Sequence, residues 1–141
     1  MKALDGCAAV TLRDHGGVYW VPSLYAETVR RLQGAIEKIG SSRVHLLPVH
    51  ESADATRTLG AAAKAALEDE LAQLRSEVQS FLAQPPERVS TLVRRLDLFE
   101  TLKGRANLYR DILQVHVDDL EKTLAELADS VETLLNEKAA A

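Results

Sequence analysis

The sequence predicts an α+β fold that is predominantly helical: a small β-β-α-β head followed by a long antiparallel helical hairpin of coiled-coil character. Three observations carry this. A β-branched and aromatic run beside two glycines lies near the start, apolar residues recur at three- and four-residue steps from Leu67 onward, and Pro85-Pro86 divides the helical part in two. The expected organisation is a head over residues 1–50, a helical hairpin over 51–138, and a tail at 139–141 whose three alanines resemble a cloning scar.

Residues 8–13, Ala-Ala-Val-Thr-Leu-Arg, read as a short strand. Asp14-His15-Gly16-Gly17 follows, and glycines after an Asp supply the positive φ of a tight turn. Val18-Tyr19-Trp20-Val21 is then a second strand, stopped by Pro22. Ser23 suits a helix N-cap, and Leu24, Thr28, Leu32, Ala35, Ile36 and Ile39 share one helical face up to Gly40. Arg43 to Val49 reads as a third strand, demoted to an edge or a strand end by Pro48. A head this small is marginal alone and is expected to lean on the helical part of the chain.

Residues 53–83 read as one helix. Its seam, Leu67, Leu71, Leu74, Val78 and Phe81, alternates steps of four and three, and alanines upstream permit close helix approach. Gln84-Pro85-Pro86 breaks it. A second helix is expected from Glu87 to Asn136, about 75 Å if continuous. Its early seam is Val89, Leu92, Leu96 and Phe99, and its late seam is Val117, Leu120, Leu124, Leu127, Val131 and Leu134. Between them Leu102, Ala106, Tyr109 and Leu113 continue one face while Leu108, Ile112 and Val115 open another. Two apolar faces require two neighbours. Gly104 stands at this slip and is the expected place for any kink.

Charge predicts which helices lie together. Residues 66–84 carry Glu68, Asp69, Glu70 and Glu77 against Arg75, whereas residues 88–110 carry six cations against Asp97 and Glu100. A reversal at Pro85-Pro86 sets these segments side by side with opposite sign. This selects an antiparallel partner more than it adds stability. The late seam has no obvious partner within the chain. It is therefore the expected contact with the head or with a second subunit, and Leu124→Glu with Leu127→Glu is expected to give a folded monomer.

Composition narrows the function classes. The 141 residues are 46% hydrophobic, with one Trp, three Tyr and two Phe, and carry a net charge of -4. Leu, Ala and Val dominate the apolar set, as in packed helices. A general nucleic-acid binder is usually basic. No apolar run approaches the roughly 20 residues of a membrane span, and no signal peptide is visible, so a cytoplasmic protein without a membrane partner is expected. Cys7 is the single cysteine and cannot form an intramolecular disulfide. His15, His45, His50 and His116 form no ligand-spaced pair, so no metal is expected. There is no Gly-x-Ser-x-Gly elbow. The Gly16-Gly17 turn joins two strands and lacks the Lys-Ser/Thr of a phosphate loop, so neither catalytic residues nor a cofactor are expected. The reading is a non-enzymatic interaction or oligomerisation module, with a homo-oligomer or a helical protein as partner. The alternative is a nucleic-acid accessory module using Arg88, Arg94, Arg95 and Arg105 within the basic segment 88–110.

Gly16-Gly17-Val18-Tyr19-Trp20-Val21-Pro22, followed by a helix and an edge strand, resembles a motif of an uncharacterised domain family of bacterial and phage proteins. Leu108-Tyr109-Arg110-Asp111-Ile112-Leu113 is similar to the helical part of the same group. The resemblance covers most of the chain. It implies Phe more often than Trp at position 20 and a further domain upstream, which would make this a C-terminal piece whose first strand pairs elsewhere. It implies no activity.

Overall fold

The computed structural model describes residues 2–13, 15 and 17–141, without the side chains of Lys2 and Ala3. Asp14 and Gly16, in the expected turn, lie outside the described residues. The protein is a mostly helical α+β chain in two compact units, Met1–Ala62 and Ala63–Ala141.

The first unit opens with one turn of helix, α1 (Lys2–Asp5), which the sequence pattern does not announce. Two short strands, β1 (Val10–Thr11) and β2 (Tyr19–Trp20), pair antiparallel with Val10 opposite Trp20 and Thr11 opposite Tyr19. The first strand is shorter than the expected 8–13 because Ala8 has φ 48°, outside the extended region. Pro22 is buried and opens a single 3-10 turn, Ser23–Tyr25, before helix α2 (Ala26–Ile39). Ser23, read as the N-cap, lies inside that turn instead, and no side chain caps α2.

The expected third strand does not form. Residues 42–52 are irregular. Pro48 has no N–H to offer a sheet, and the segment is anchored to helix α2 instead. Gln33 Nε2 donates to the Val44 carbonyl at 2.7 Å, and the Val44 N–H donates to Glu37 Oε1 at 3.3 Å. The sheet therefore ends at two strands, and the head is not β-β-α-β.

Helix α3 (Ala53–Ala83) starts where Ser52 Oγ accepts the Ala55 N–H at 3.1 Å, and it stops ahead of Pro85-Pro86. In the second unit it is followed by α4 (Val89–Leu113) and α5 (Asp118–Ala140). The helix expected to run from Glu87 to Asn136 is thus two helices, and α5 continues through Ala139 and Ala140. The interruption lies at residues 114–117, where Gln114 adopts a left-handed conformation, φ 54° and ψ 35°. It does not lie at Gly104, which α4 crosses without a break.

A Cβ built on Gly104 meets nothing within 4 Å. The residue sits exposed in the helix interior, where glycine costs backbone entropy relative to alanine. Gly104→Ala is expected to stabilise the second unit by about 0.5–1 kcal/mol, read as a higher urea midpoint at unchanged slope. A lower midpoint would mean that the helix bends there.

Contacts across the second unit give its chain directions. Glu77 pairs with Arg95, near the bend at residues 84–88, and Glu70 with Arg105, farther from it, so α3 and α4 run antiparallel. Arg110 of α4 lies 3.5 Å from Glu121 in the first turns of α5. At the other end Lys138 Nζ donates to the Glu87 carbonyl at 3.1 Å, so α4 and α5 are also antiparallel. The core between them is apolar. Leu67, Leu74 and Val78 of α3 are buried, as are Leu92, Phe99, Leu102, Ala106, Tyr109 and Leu113 of α4. Each Leu or Val withdrawn from water in this way contributes about 1.5–3 kcal/mol.

Candidate functional site

The site expected on the late seam is not a surface. Val117, Leu120, Leu124, Leu127, Val131 and Leu134 are all buried within the single chain, Val131 completely. The face that the sequence leaves without a partner finds one in α4, because the break at residues 114–117 turns α5 back along it. The 3-4 spacing is correct as a statement about burial. It does not specify whether the covering surface belongs to the same chain.

The four arginines of the alternative reading separate into two pairs. Arg95 Nε stands 2.7 Å from Glu77 Oε2, an ion contact whose N–H is not aligned for a hydrogen bond. Arg105 is engaged by Glu70, with its side chain 18% exposed. Arg88, beside the start of α4, and Arg94 are exposed. Two of the six cations of residues 88–110 thus pair with acids of the facing segment inside the unit.

An open cleft of about 340 Å³ lies where α5 begins. Lys64 and Glu68 of α3 face His116, Asp118 and Asp119 across it. Lys64 is 3.7 Å from Glu68, and Asp118 and Asp119 complement the positive end of the α5 dipole. His15, His45, His50 and His116 are all exposed, and among the described residues no three His, Cys, Asp or Glu side chains gather as a metal site. Cys7 is buried.

Among the described residues, one apolar face is left uncovered within the first unit itself. Helix α2 has fourteen residues and none is buried. With the preceding Tyr25, its apolar residues Val29, Leu32, Ile36 and Ile39 step by four, three, four and three, so they line one stripe. Thr28 and Ala35 border the stripe on one side, and Ala26 and Gln33 on the other. Glu27, Arg30, Arg31, Glu37 and Lys38 all point to the opposite half of the helix, where Glu27 bridges both arginines. One entire half of α2 is thus uncharged. Exposure rises along the stripe: Tyr25, Val29 and Leu32 are half-buried, Ile36 is 42% exposed and Ile39 87%.

The irregular segment after α2 carries further exposed apolar residues. Gln33 donating to the Val44 carbonyl and the Val44 N–H donating to Glu37 hold it beside the second half of the helix. Leu46, Leu47 and Val49 then follow, all exposed, Leu47 at 84%. Sequence reasoning placed these residues in an edge strand and so overlooked them. The available signal was the apolar run Leu46-Leu47 beside Pro48, which cannot be protected inside a sheet.

No helix among the described residues is long and apolar enough to cross a membrane. Among curated proteins and among solved structures, nothing matches the chain. A family of unknown function, DUF6744, matches residues 1–140, and the protein belongs to that family.

Proposed function

We propose that the chain is a non-enzymatic oligomerisation module, and that two copies meet through the uncharged half of α2 together with Leu46, Leu47 and Val49. The observation that carries this is a fourteen-residue amphipathic helix without one buried residue. A helix this short is marginal in water unless its apolar face is packed. A second copy suits the face because it is free of charge from edge to edge. A two-fold axis brings the same patch against itself, and here it sets no like charges together. In this reading α3, α4 and α5 form a coiled-coil-like antiparallel scaffold that carries the pairing surface, and the late seam is part of its core.

The nucleic-acid alternative has less support. Two of its four arginines are held by Glu70 and Glu77. It predicts salt-sensitive DNA binding, whereas pairing through a neutral face is nearly independent of salt.

The test is light-scattering mass after size exclusion across a range of concentrations, at low and high salt, for the native chain and for Ile36→Glu with Ile39→Glu. Both substituted positions are exposed, so helix content should be unchanged. The native chain should dimerise, and the double variant should weaken association at least ~30-fold, about 2 kcal/mol. A native chain that stays monomeric at every concentration, or a variant that dimerises as well as the native, overturns the proposal.

A further inference from the structure

We propose that residues 114–117 are an exchange hinge through which two copies trade helix α5. The inference does not depend on the α2 surface. Its starting point is a break that the local sequence does not dictate. Gln114-Val115-His116-Val117 contains neither glycine nor proline, and the apolar spacing on both sides continues in helical register. The turn is nevertheless made, with Gln114 at φ 54°, a conformation that costs an L-residue other than glycine and is relieved once that residue becomes helical. Val117, the residue ahead of α5, provides no side-chain cap.

The closed form is held by what α5 buries. Val115 and Val117 are buried beside the hinge, the seam from Leu120 to Leu134 lies in the core, and contacts at Arg110–Glu121 and Lys138–Glu87 secure the two ends. None of the contacts made by α5 itself requires that α4 belong to the same chain. If the hinge straightens, α4 and α5 become one helix, and α5 of each copy takes the place of its equivalent in the other. Seam contacts are regained, two left-handed glutamines become helical, and only the hinge surroundings change. A short connection under backbone strain between two helices is the condition under which such exchange is favoured.

The hinge makes predictions of opposite sign. Gln114→Gly removes the cost of the closed turn and disfavours the straight helix. It should lower the dimerisation constant on the order of a hundredfold, since each exchanged dimer contains two hinges. Gln114→Ala with His116→Ala favours the straight helix and should raise it on the order of tenfold. Both positions are exposed, so the core is not altered. The experiment uses the full chain carrying Ile36→Glu and Ile39→Glu, which removes pairing through α2. Glu87→Cys and Lys138→Cys are placed on separate chains, each also carrying Cys7→Ala, mixed, refolded together and treated with a short bismaleimide. A cross-link between the two chains is expected, stronger with the alanine hinge and weaker with the glycine hinge. No interchain cross-link, or hinge variants that move it in the same direction, overturns the proposal. Failure of α2 pairing would instead appear in the native chain and leave this cross-link unaffected.

Discussion

Leu124→Glu combined with Leu127→Glu is expected to unfold residues 63–141 and not to release a folded monomer. From the sequence alone these positions belong to an exposed seam, and glutamates there would only dissolve an oligomer. In the structure Leu124 and Leu127 are 3% and 8% exposed against α4. Placing two carboxylates there removes two leucines from the core and leaves two charges without water or a partner cation on the seam. Each lost leucine costs about 2–5 kcal/mol, and burying an unpaired carboxylate costs several more. The sum is comparable to the roughly 5–15 kcal/mol that holds a typical domain together. Circular dichroism should show most of the helicity of α3, α4 and α5 lost at 25 °C. Native helicity with a monomeric mass would show that α5 does not contribute to the core of its own chain.

The contrast between that prediction and the sequence-based one shows what periodicity encodes. The 3-4 spacing from Val117 to Leu134 states that one face of a helix leaves water. It is silent on which surface covers it, because a stripe on the same chain and one on another chain bury it equally well. The covering partner is set by the turn at residues 114–117, and that turn has no residue that announces it. At α3 the punctuation is explicit and the reading is accurate. Pro85-Pro86 follows the end of α3, and the helix spans Ala53–Ala83 as the spacing predicts. Segment charge likewise anticipates the contacts of Glu70 and Glu77 with Arg105 and Arg95.

The candidate surface on the first unit is legible only in part. Charge segregation on α2 is visible from residues 26–39 alone, but an amphipathic helix normally covers its own apolar face. Only the structure shows that none of its residues is buried. The third strand fails for a reason in plain view. Pro48 interrupts the donor series that an edge requires, so Leu46, Leu47 and Val49 are left in an irregular segment tied to the helix at Val44. An exposed run of this kind is unusual on a chain that stays alone in solution, and it gives the pairing proposal its second support.

A second large effect separates the two kinds of apolar residue in this protein. Leu102 has no exposed surface, whereas Leu47 is 84% exposed. Leu102→Ala creates a cavity on the α4 face that also includes Phe99, Ala106 and Tyr109, and long helices packed along their length close such a gap only partly. The expected cost is about 3–4 kcal/mol, read as a lower urea midpoint of the helical transition with its slope retained. Leu47→Ala removes the same atoms from water-facing surface and should move that midpoint by less than about 0.5 kcal/mol. Its effect should appear in association instead, because the side chain belongs to the surface proposed to meet a second copy. If Leu47→Ala lowers the stability of the isolated chain as much as Leu102→Ala does, the apolar segment after α2 is core and the pairing surface lies elsewhere. If it weakens dimerisation and leaves unfolding untouched, the division of labour follows directly from exposure, with α3, α4 and α5 supplying the stability and α2 with its neighbouring segment supplying the contact.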